Sequence, residues 1–503
     1  MSLAIVHTRA QVGLDAPPVT IEVHLSGGLP SLSIVGLPEK AVNESKERVR
    51  SALINAGFEF PRRRMTVNMA PADLPKEGGR FDLAIAVGLL VASGQLPPDS
   101  VAQLELIGEL ALSGRLRPVR GVLPAALACR EQGRQLLLAT ENGAEAVLAR
   151  GLEVLAAPDL LAVARHLAGE DKLATVVADG CAPASASSYP DLSDVKGQLQ
   201  AKRALEIAAA GGHNLLLSGV PGSGNSMLAQ RLPGILPPLT EQQLLEVAAI
   251  HSVAGLIGAD QLPSGRPWRA PHHSASAAAL VGGGSQPRPG EVSLAHHGLL
   301  FLDELPEFNR QVLEVLREPI ETGHILIARA ARRTEFPARF QLVAAMNPCP
   351  CGYAGEPDNR CRCHGDQIQR YQNRISGPLL DRIDLQLRVP APSRDELLLS
   401  CDAGETSAQV RERVLEAYER QLSRQGQLNG TLAGRALEQY CQLANEDQHL
   451  LLDAIERLRL SARAYHRILR VARTIADLAA EPRVLQPHLL EALSYRSMPA
   501  VTA

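Results

Sequence analysis

Gly219-Val220-Pro221-Gly222-Ser223-Gly224-Asn225-Ser226 fits the phosphate-binding pattern G-x-x-x-x-G-K-[ST] at every fixed position except the lysine. Asn214 to Ser218 (NLLLS) before it reads as a short buried strand, and Met227 to Leu232 after it reads as a continuing helix. A strand, a Gly-rich turn and a helix start aim backbone N–H groups at a polyphosphate, and Ser226 is placed to reach Mg2+. Gly219, Pro221, Gly222, Ser223, Gly224, Asn225, Ser226 and Met227 are therefore candidate nucleotide contacts. The position that should put a cation on the β- and γ-phosphates holds Asn225, an uncharged amide. The loop implies ATP with Mg2+, and the amide implies impaired hydrolysis.

A Gly-rich loop can also be a plain tight turn, so the rest of a nucleotide site has to be found downstream. His297 to Glu304 (HGLLFLDE) is a run of apolar residues ending in two carboxylates, as a buried parallel strand with a Walker B end would be. There Asp303 would hold Mg2+ through water, and Glu304 would orient and deprotonate the attacking water. Phe340 to Ala345 (FQLVAA) reads as another buried strand ending at Met346-Asn347, where the Asn347 amide can hold that water near the γ-phosphate. Three strand ends in this order argue against chance.

Working outward, DGCAPASASSYP at 179–190 has the small, Pro- and Ser-rich composition of a linker. Strand-like runs such as Val19 to Leu25 alternate with helical runs such as Val42 to Ala56 before it, and an α/β core follows it to about residue 390. The remainder, Glu396 to Arg496, is Leu-, Arg- and Glu-rich and reads as mostly helical. The domains expected are 1–170, a linker at 171–190, a core at 191–390 and a helical domain at 391–503. The 503 residues are enough for two or three domains, and a net charge of −3 means that any nucleic-acid contact must be local. Eight cysteines, no secretory start and no apolar run near a membrane-spanning length lead us to expect a cytoplasmic protein with no membrane partner.

Cys349, Cys351, Cys361 and Cys363 form C-x-C-x9-C-x-C, with His364 adjacent. Four thiolates can enclose Zn2+ and order a loop that lacks core residues, although C-x-C gives a strained bite; reduced structural thiols are the alternative. Cys129, Cys181, Cys401 and Cys441 are scattered and read as ordinary thiols. His272 and His273 are adjacent, so they are expected to point different ways and make a poor metal pair.

Gly219 to Ser226, Asp303-Glu304, Asn347, Ser376 to Arg382 (SGPLLDR) and Ser461-Ala462-Arg463 together resemble the AAA+ ATPases of the magnesium-chelatase-like, helix-2-insert group. From the N-terminus to about residue 498 the chain resembles the bacterial YifB/ComM family, through segments such as Arg269 to Ser274 (RAPHHS), Phe301 to Phe308 (FLDELPEF) and Asn347 to Gly352 (NPCPCG). Better-studied members of that family act as hexameric branch-migration helicases during natural transformation. The resemblance implies an α/β fold: a Lon-protease-like α+β domain, an AAA+ P-loop core with a helix-2 insert, and a C-terminal helical lid. It also implies a homo-hexamer acting on single-stranded or branched DNA.

Residue by residue, the resemblance makes Arg382 an arginine finger inserted into a neighbour's site and Arg463 the sensor-2 contact to the γ-phosphate. Arg374 and Arg467 are their nearest rivals. Trp268 to Gly284 becomes the insert that points into the pore, or else a surface loop capped by histidines. His324 to Phe340 becomes the pre-sensor-1 hairpin, whose Arg329, Arg332 and Arg333 either contact DNA phosphates or are merely solvated. In the Lon-like domain Arg80 falls at the serine position and Leu123 at the lysine position, so the catalytic dyad is absent. Lys76 without a hydroxyl partner reads as a solvated lysine, and Arg80 as either buried pairing or a ligand contact. Two other classes remain beside the DNA motor: a nucleotide-binding scaffold without turnover, and a chelatase-type remodeller that inserts metal into a tetrapyrrole.

Overall fold

A computed structural model describes residues 3–36, 40–177, 189–257, 265–284, 287–329, 332–356, 360–391, 404–458 and 460–496 of the chain. They divide into two compact units, residues 1–185 with 241–264, and residues 186–240 with 265–503. The helix Glu241–Ala254 therefore packs in the first unit, although it lies in the stretch 191–390 that the sequence suggested as one core. Its buried Ala248 and Ala249 join the cluster formed by Val122, Leu123 and Ala126, and Ser252 accepts the Gly121 N–H through its carbonyl. Most of the linker falls outside the described residues, as do Cys181 and Cys401.

The first unit is built on a seven-stranded mixed sheet in the order Ser31–Val35, Arg64–Ala70, Pro18–Ser26, Leu3–Arg9, Leu104–Leu106, Gln135–Ala139, Val154–Ala157. Pro18–Ser26 alternates buried and less buried residues, the pattern of a strand with one face on the core. The helix Asp82–Ala92 is buried at all eleven positions and covers that face. Lys76 corrects the sequence expectation: it is fully buried rather than solvated, and its ammonium donates to the carbonyls of Gly36, at 2.9 Å, and of Pro71. Arg80 is also buried; Nη1 donates to Gln11 Oε1 at 3.3 Å, while Nε and Nη2 have no partner among the described residues. Burial brings the Arg80 guanidinium down to about 10. Leu123 is fully buried and apolar, so neither position offers a nucleophile or a base.

The second unit holds a five-stranded parallel sheet in the order Trp268–Arg269, Leu299–Leu302, Gln341–Met346, Leu215–Gly219, Leu385–Val389. Parallel strands covered on both faces read as continuous apolar runs, and Leu215, Leu216 and Leu217 are each fully buried. Each such leucine stabilises the fold by roughly 1.5–3 kcal/mol relative to exposure. Register places Ser218 beside Met346 on one side and Arg388 on the other. The phosphate-loop strand thus lies between the strand leading to Asn347 and the last strand, where chain order reverses and ligands bind at carboxyl ends. The helices Ser407–Gln425, Gly434–Tyr440, Asn445–Leu458, Ala462–Leu478 and Gln486–Ser494 follow. Several of their apolar residues, among them Val414, Ile468 and Leu489, join the same core as Leu215.

Trp268, read as part of an insert, instead stacks on Phe301 of the neighbouring strand with ring centroids 5.3 Å apart. The residues after it form a short helix, Ala277–Val281, and a two-residue pairing of Gly282 and Gly283 with Pro289 and Arg288. His324–Arg329 and Arg332–Pro337 pair antiparallel as a hairpin, with Arg329 opposite Arg332. Arg333 is exposed, and the tip at 330–331 lies outside the described residues.

Candidate active site

Glycine geometry shapes the loop after Leu215–Gly219. A Cβ on Gly219 would lie 2.7 Å from the Val389 carbonyl oxygen, and Gly222 and Gly224 have φ of +83° and +90°, which side chains rarely adopt. The helix that follows is shorter than expected, Asn225–Ala229 rather than a run to Leu232, and restarts at Leu232–Ile235 with Pro233 near its start. Proline has no N–H to donate and its ring crowds the preceding turn.

Ser226 Oγ donates to Asp303 Oδ2 at 2.8 Å. That contact joins the end of the phosphate loop to the carboxylate after Leu299–Leu302, two groups read independently as Mg2+ ligands. Asp303 Oδ1 accepts the Glu304 backbone N–H at 2.9 Å. Glu304 has φ of 51°, a left-handed conformation that costs about 1–3 kcal/mol for a non-glycine residue and turns the chain sharply out of the strand. Its carboxylate is exposed, with His273 Nδ1 3.4 Å from Oε2. His272 and His273 do not diverge as expected: their rings lie 4.0 Å apart, although His272 pairs with the Ser274 hydroxyl and His273 with Glu304.

Asn347 follows the strand Gln341–Met346 that pairs with the phosphate-loop strand. The Tyr371 hydroxyl lies against the Asn347 backbone; burial, with the Glu307 and Glu304 carboxylates nearby, pushes that phenol up to about 12. Asn225 Oδ1 and Ser223 Oγ are buried without a partner among the described residues, and Asn225 Oδ1 lies 3.0 Å from where a Gly219 Cβ would be. The amide is folded back over the strand end. A glycine cradle and a hydroxyl–carboxylate pair at one strand edge fit a bound Mg2+ nucleotide.

Arg382 stands apart from this group. It is buried, its Nη2 forms a 2.6 Å ion pair with Glu321, and its Nη1 donates to Pro378 O at 2.7 Å. Arg374 is exposed and pairs with Glu307 at 2.9 Å, on one wall of a cleft of about 900 Å³ that His273, Arg310 and Arg370 also line. Arg463 is exposed in the first turn of Ala462–Leu478, and Arg467 is held by Asp384 Oδ1 at 2.6 Å. Burial disfavours the Asp384 charge, but His213 and Arg467 hold its carboxyl far below the usual range.

The four clustered cysteines come together. Cys349 Sγ lies 3.3 Å from Cys351 and 3.8 Å from Cys361, and all four sulfurs fall within 4.8 Å of one another. Burial works against ionising Cys351, but the backbone N–H groups of Tyr353 and Arg362 and the thiols of Cys349 and Cys363 bring it down to about 6. His364 caps the helix Gly365–Gln372 instead of joining the cluster. Cys129 and Cys441 are buried free thiols. Sequence reading missed His273 beside Glu304, Glu321 on Arg382 and Tyr371 behind Asn347. The first was visible only as an unexplained polar residue near the motifs, and the other two carried no local signal.

Family sequence models match three successive stretches: subunit ChlI of magnesium chelatase over residues 21–142, the magnesium chelatase ChlI subunit over 191–397 and its C-terminal part over 404–496. The competence protein ComM of Haemophilus influenzae is 53% identical over 501 residues, covering 99% of this chain and 98% of that protein. YifB of Salmonella typhimurium is 52% identical over 499 residues and YifB of Escherichia coli 51% over 502, each covering 99% of this chain and 98% of the relative.

Proposed function

The chain belongs to the YifB/ComM family of magnesium-chelatase-like AAA+ proteins, and from that premise we propose that it is a ring-forming, ATP-dependent DNA motor. Its work is branch migration in recombination, in the setting of natural transformation that the name of its Haemophilus relative suggests, and its hydrolysis is impaired by Asn225. The observation that supports the nucleotide reading is the 2.8 Å hydrogen bond from Ser226 to Asp303, because it joins the two side chains proposed to hold Mg2+. When bound, Mg2+ neutralises charge between the terminal phosphates.

The chain's own residues divide the remaining tasks. Backbone N–H groups of Gly219 to Ser226 hold the phosphates, and Glu304 takes a proton from the attacking water. Asn347, backed by Tyr371, orients that water. Arg463 reaches the γ-phosphate from the helical part at 391–503, acting as a lid. Arg382 serves a neighbouring subunit's site, which requires release of its pairing with Glu321 on assembly and makes a hexamer the working form. Arg329, Arg332 and Arg333 on the hairpin supply phosphate contacts to single-stranded or branched DNA. Residues 1–170 form a Lon-like platform without a catalytic dyad, and the four cysteines hold Zn2+. No described helix is long and apolar enough to cross a membrane, and we place the protein in the cytoplasm.

A scaffold that binds nucleotide without turnover is favoured by one specific feature, the uncharged Asn225 amide where a cation belongs. DNA-stimulated ATP hydrolysis by this chain beside its Asn225→Lys variant separates the readings. The motor reading expects strong hydrolysis, raised by DNA, in the lysine variant; a lysine variant that binds ATP and never turns it over would leave the scaffold.

A further inference from the structure

We propose that the four-cysteine centre is a metal clasp that fixes the shape of the phosphate loop, so that nucleotide affinity depends on whether the metal is bound. The inference rests on the reading of Cys349, Cys351, Cys361 and Cys363 as a Zn2+ centre. Tetrahedral Zn–S bonds of about 2.3 Å imply sulfur–sulfur edges of about 3.8 Å. The sulfur pairs at 3.3, 3.6 and 3.8 Å already lie near that spacing.

Among the described residues, the loop that carries the sulfurs has little apolar packing, although Arg360 over the Tyr353 ring and Glu356 beside Arg388 also tie it down. Its apolar cluster consists of Cys349, Ala354 and Ile368, with the other three cysteines packed against them, so most of that core is the thiols themselves. Cysteine sulfurs without a metal offer only weak mutual contacts, whereas a metal bound to four thiolates contributes folding energy directly.

The same loop touches the nucleotide site from two sides. A turn closed by the Gly352 N–H donating to Cys349 O at 2.9 Å carries the first cysteine pair and lays Gly352 on Pro221. A Cβ on Gly352, whose φ is +88°, would sit 2.5 and 2.6 Å from Pro221 ring carbons and 3.9 Å from Asn347 Cγ. Farther along, Arg388 Nη2 donates to Ala354 O at 3.3 Å, and Arg388 belongs to the strand paired with Ser218. The next phosphate-loop residue, Gly222, has nothing within 4 Å of where its Cβ would be. Pro221 against Gly352 is thus lateral support for a loop with open space beside it. Releasing the metal frees the turn that supplies this support, and the phosphate loop then spends part of its time in shapes that do not bind nucleotide.

The test uses this chain carrying Asn225→Lys, probed with a fluorescent ATP analogue. Elemental analysis should find about one Zn2+ per chain, lost in Cys361→Ser/Cys363→Ser. Stripping Zn2+ with a chelator should weaken the analogue about tenfold if the binding-competent loop falls to about one tenth of the population, and adding Zn2+ back should restore it. Gly352→Ala should keep the metal and weaken the analogue to a similar extent. A reduced, intact protein with no bound metal would overturn the Zn2+ reading. Bound metal with analogue affinity unchanged by stripping would overturn the coupling while leaving the centre standing, and an unaffected Gly352→Ala would overturn the route through Pro221.

Discussion

Replacing Asn225 with lysine should convert this chain from a nearly silent ATPase into an active one, and the geometry separates two contributions to that change. Asn225 begins the helix Asn225–Ala229, with its Oδ1 buried, unpartnered and folded over the end of the phosphate-loop strand. An unsatisfied buried carbonyl costs about 1–3 kcal/mol of stability, and any residue that lacks it relieves the cost. A preorganised cation at the developing charge is a separate matter, worth about 10² to 10³ in rate, or roughly 2.7–4 kcal/mol. Only lysine supplies the second contribution, so Asn225→Ala is the control. Steady-state hydrolysis with saturating Mg-ATP and DNA should rise by about 10² to 10³ in Asn225→Lys and stay at the parent level in Asn225→Ala. Thermal unfolding of both variants should occur at or above the parent's Tm. A parent that hydrolyses as fast as the lysine variant would refute the charge argument, and an alanine variant that gains as much would show that the amide obstructs the site rather than lacking a charge.

Three other outcomes follow from the same geometry. Mixing Arg382→Ala with Glu304→Gln subunits, each carrying Asn225→Lys, should regenerate some ATPase activity that neither has alone; stable mixed rings without recovery would place Arg382 outside the neighbour's site. Asp384 titrates lower in the folded chain than its ordinary 3.8, so its stabilisation is complete above that pH and is lost as pH falls below it. Asp384→Asn should flatten the acid limb of a Tm-versus-pH curve and cost about 3–5 kcal/mol at neutral pH by stranding Arg467; an unchanged acid limb would contradict this. Arg332→Ala/Arg333→Ala should weaken binding to forked and four-way DNA across sequences and lower the salt slope by up to about 2, with nucleotide binding intact. Unchanged DNA affinity would remove the hairpin as the contact.

Three strands of the second unit's sheet were legible because they are buried on both faces, as LLL at 215–217 and LLFL at 299–302 show, while Trp268–Arg269 and Leu385–Val389 were not read as strands. Ser226 and Asp303 were each legible as candidate Mg2+ ligands because each stands at a fixed place relative to such a strand, although the hydrogen bond between them was not. What escaped depends on distant chain. Lys76 reads as solvated until the carbonyls of Gly36 and Pro71 close around it. Arg382 reads as a presented finger until Glu321 is found on it. Ala248 and Ala249 in the apolar run Val247 to Ile250 pack with Val122, Leu123 and Ala126, and nothing local to that run says which unit it joins. Gly352 looked like one more loop glycine, and only Pro221 lying against it shows why a side chain would not fit there.

The most direct test of the motor reading is ATP-driven movement of a branch point. A four-way junction with homologous arms, incubated with Mg-ATP and the Asn225→Lys chain, should resolve into two duplexes. The parent chain and Asn225→Lys/Glu304→Gln should leave it intact. A lysine variant that hydrolyses ATP vigorously in the presence of the junction, yet never moves the branch point, would contradict the claim that this chain is built to move DNA strands.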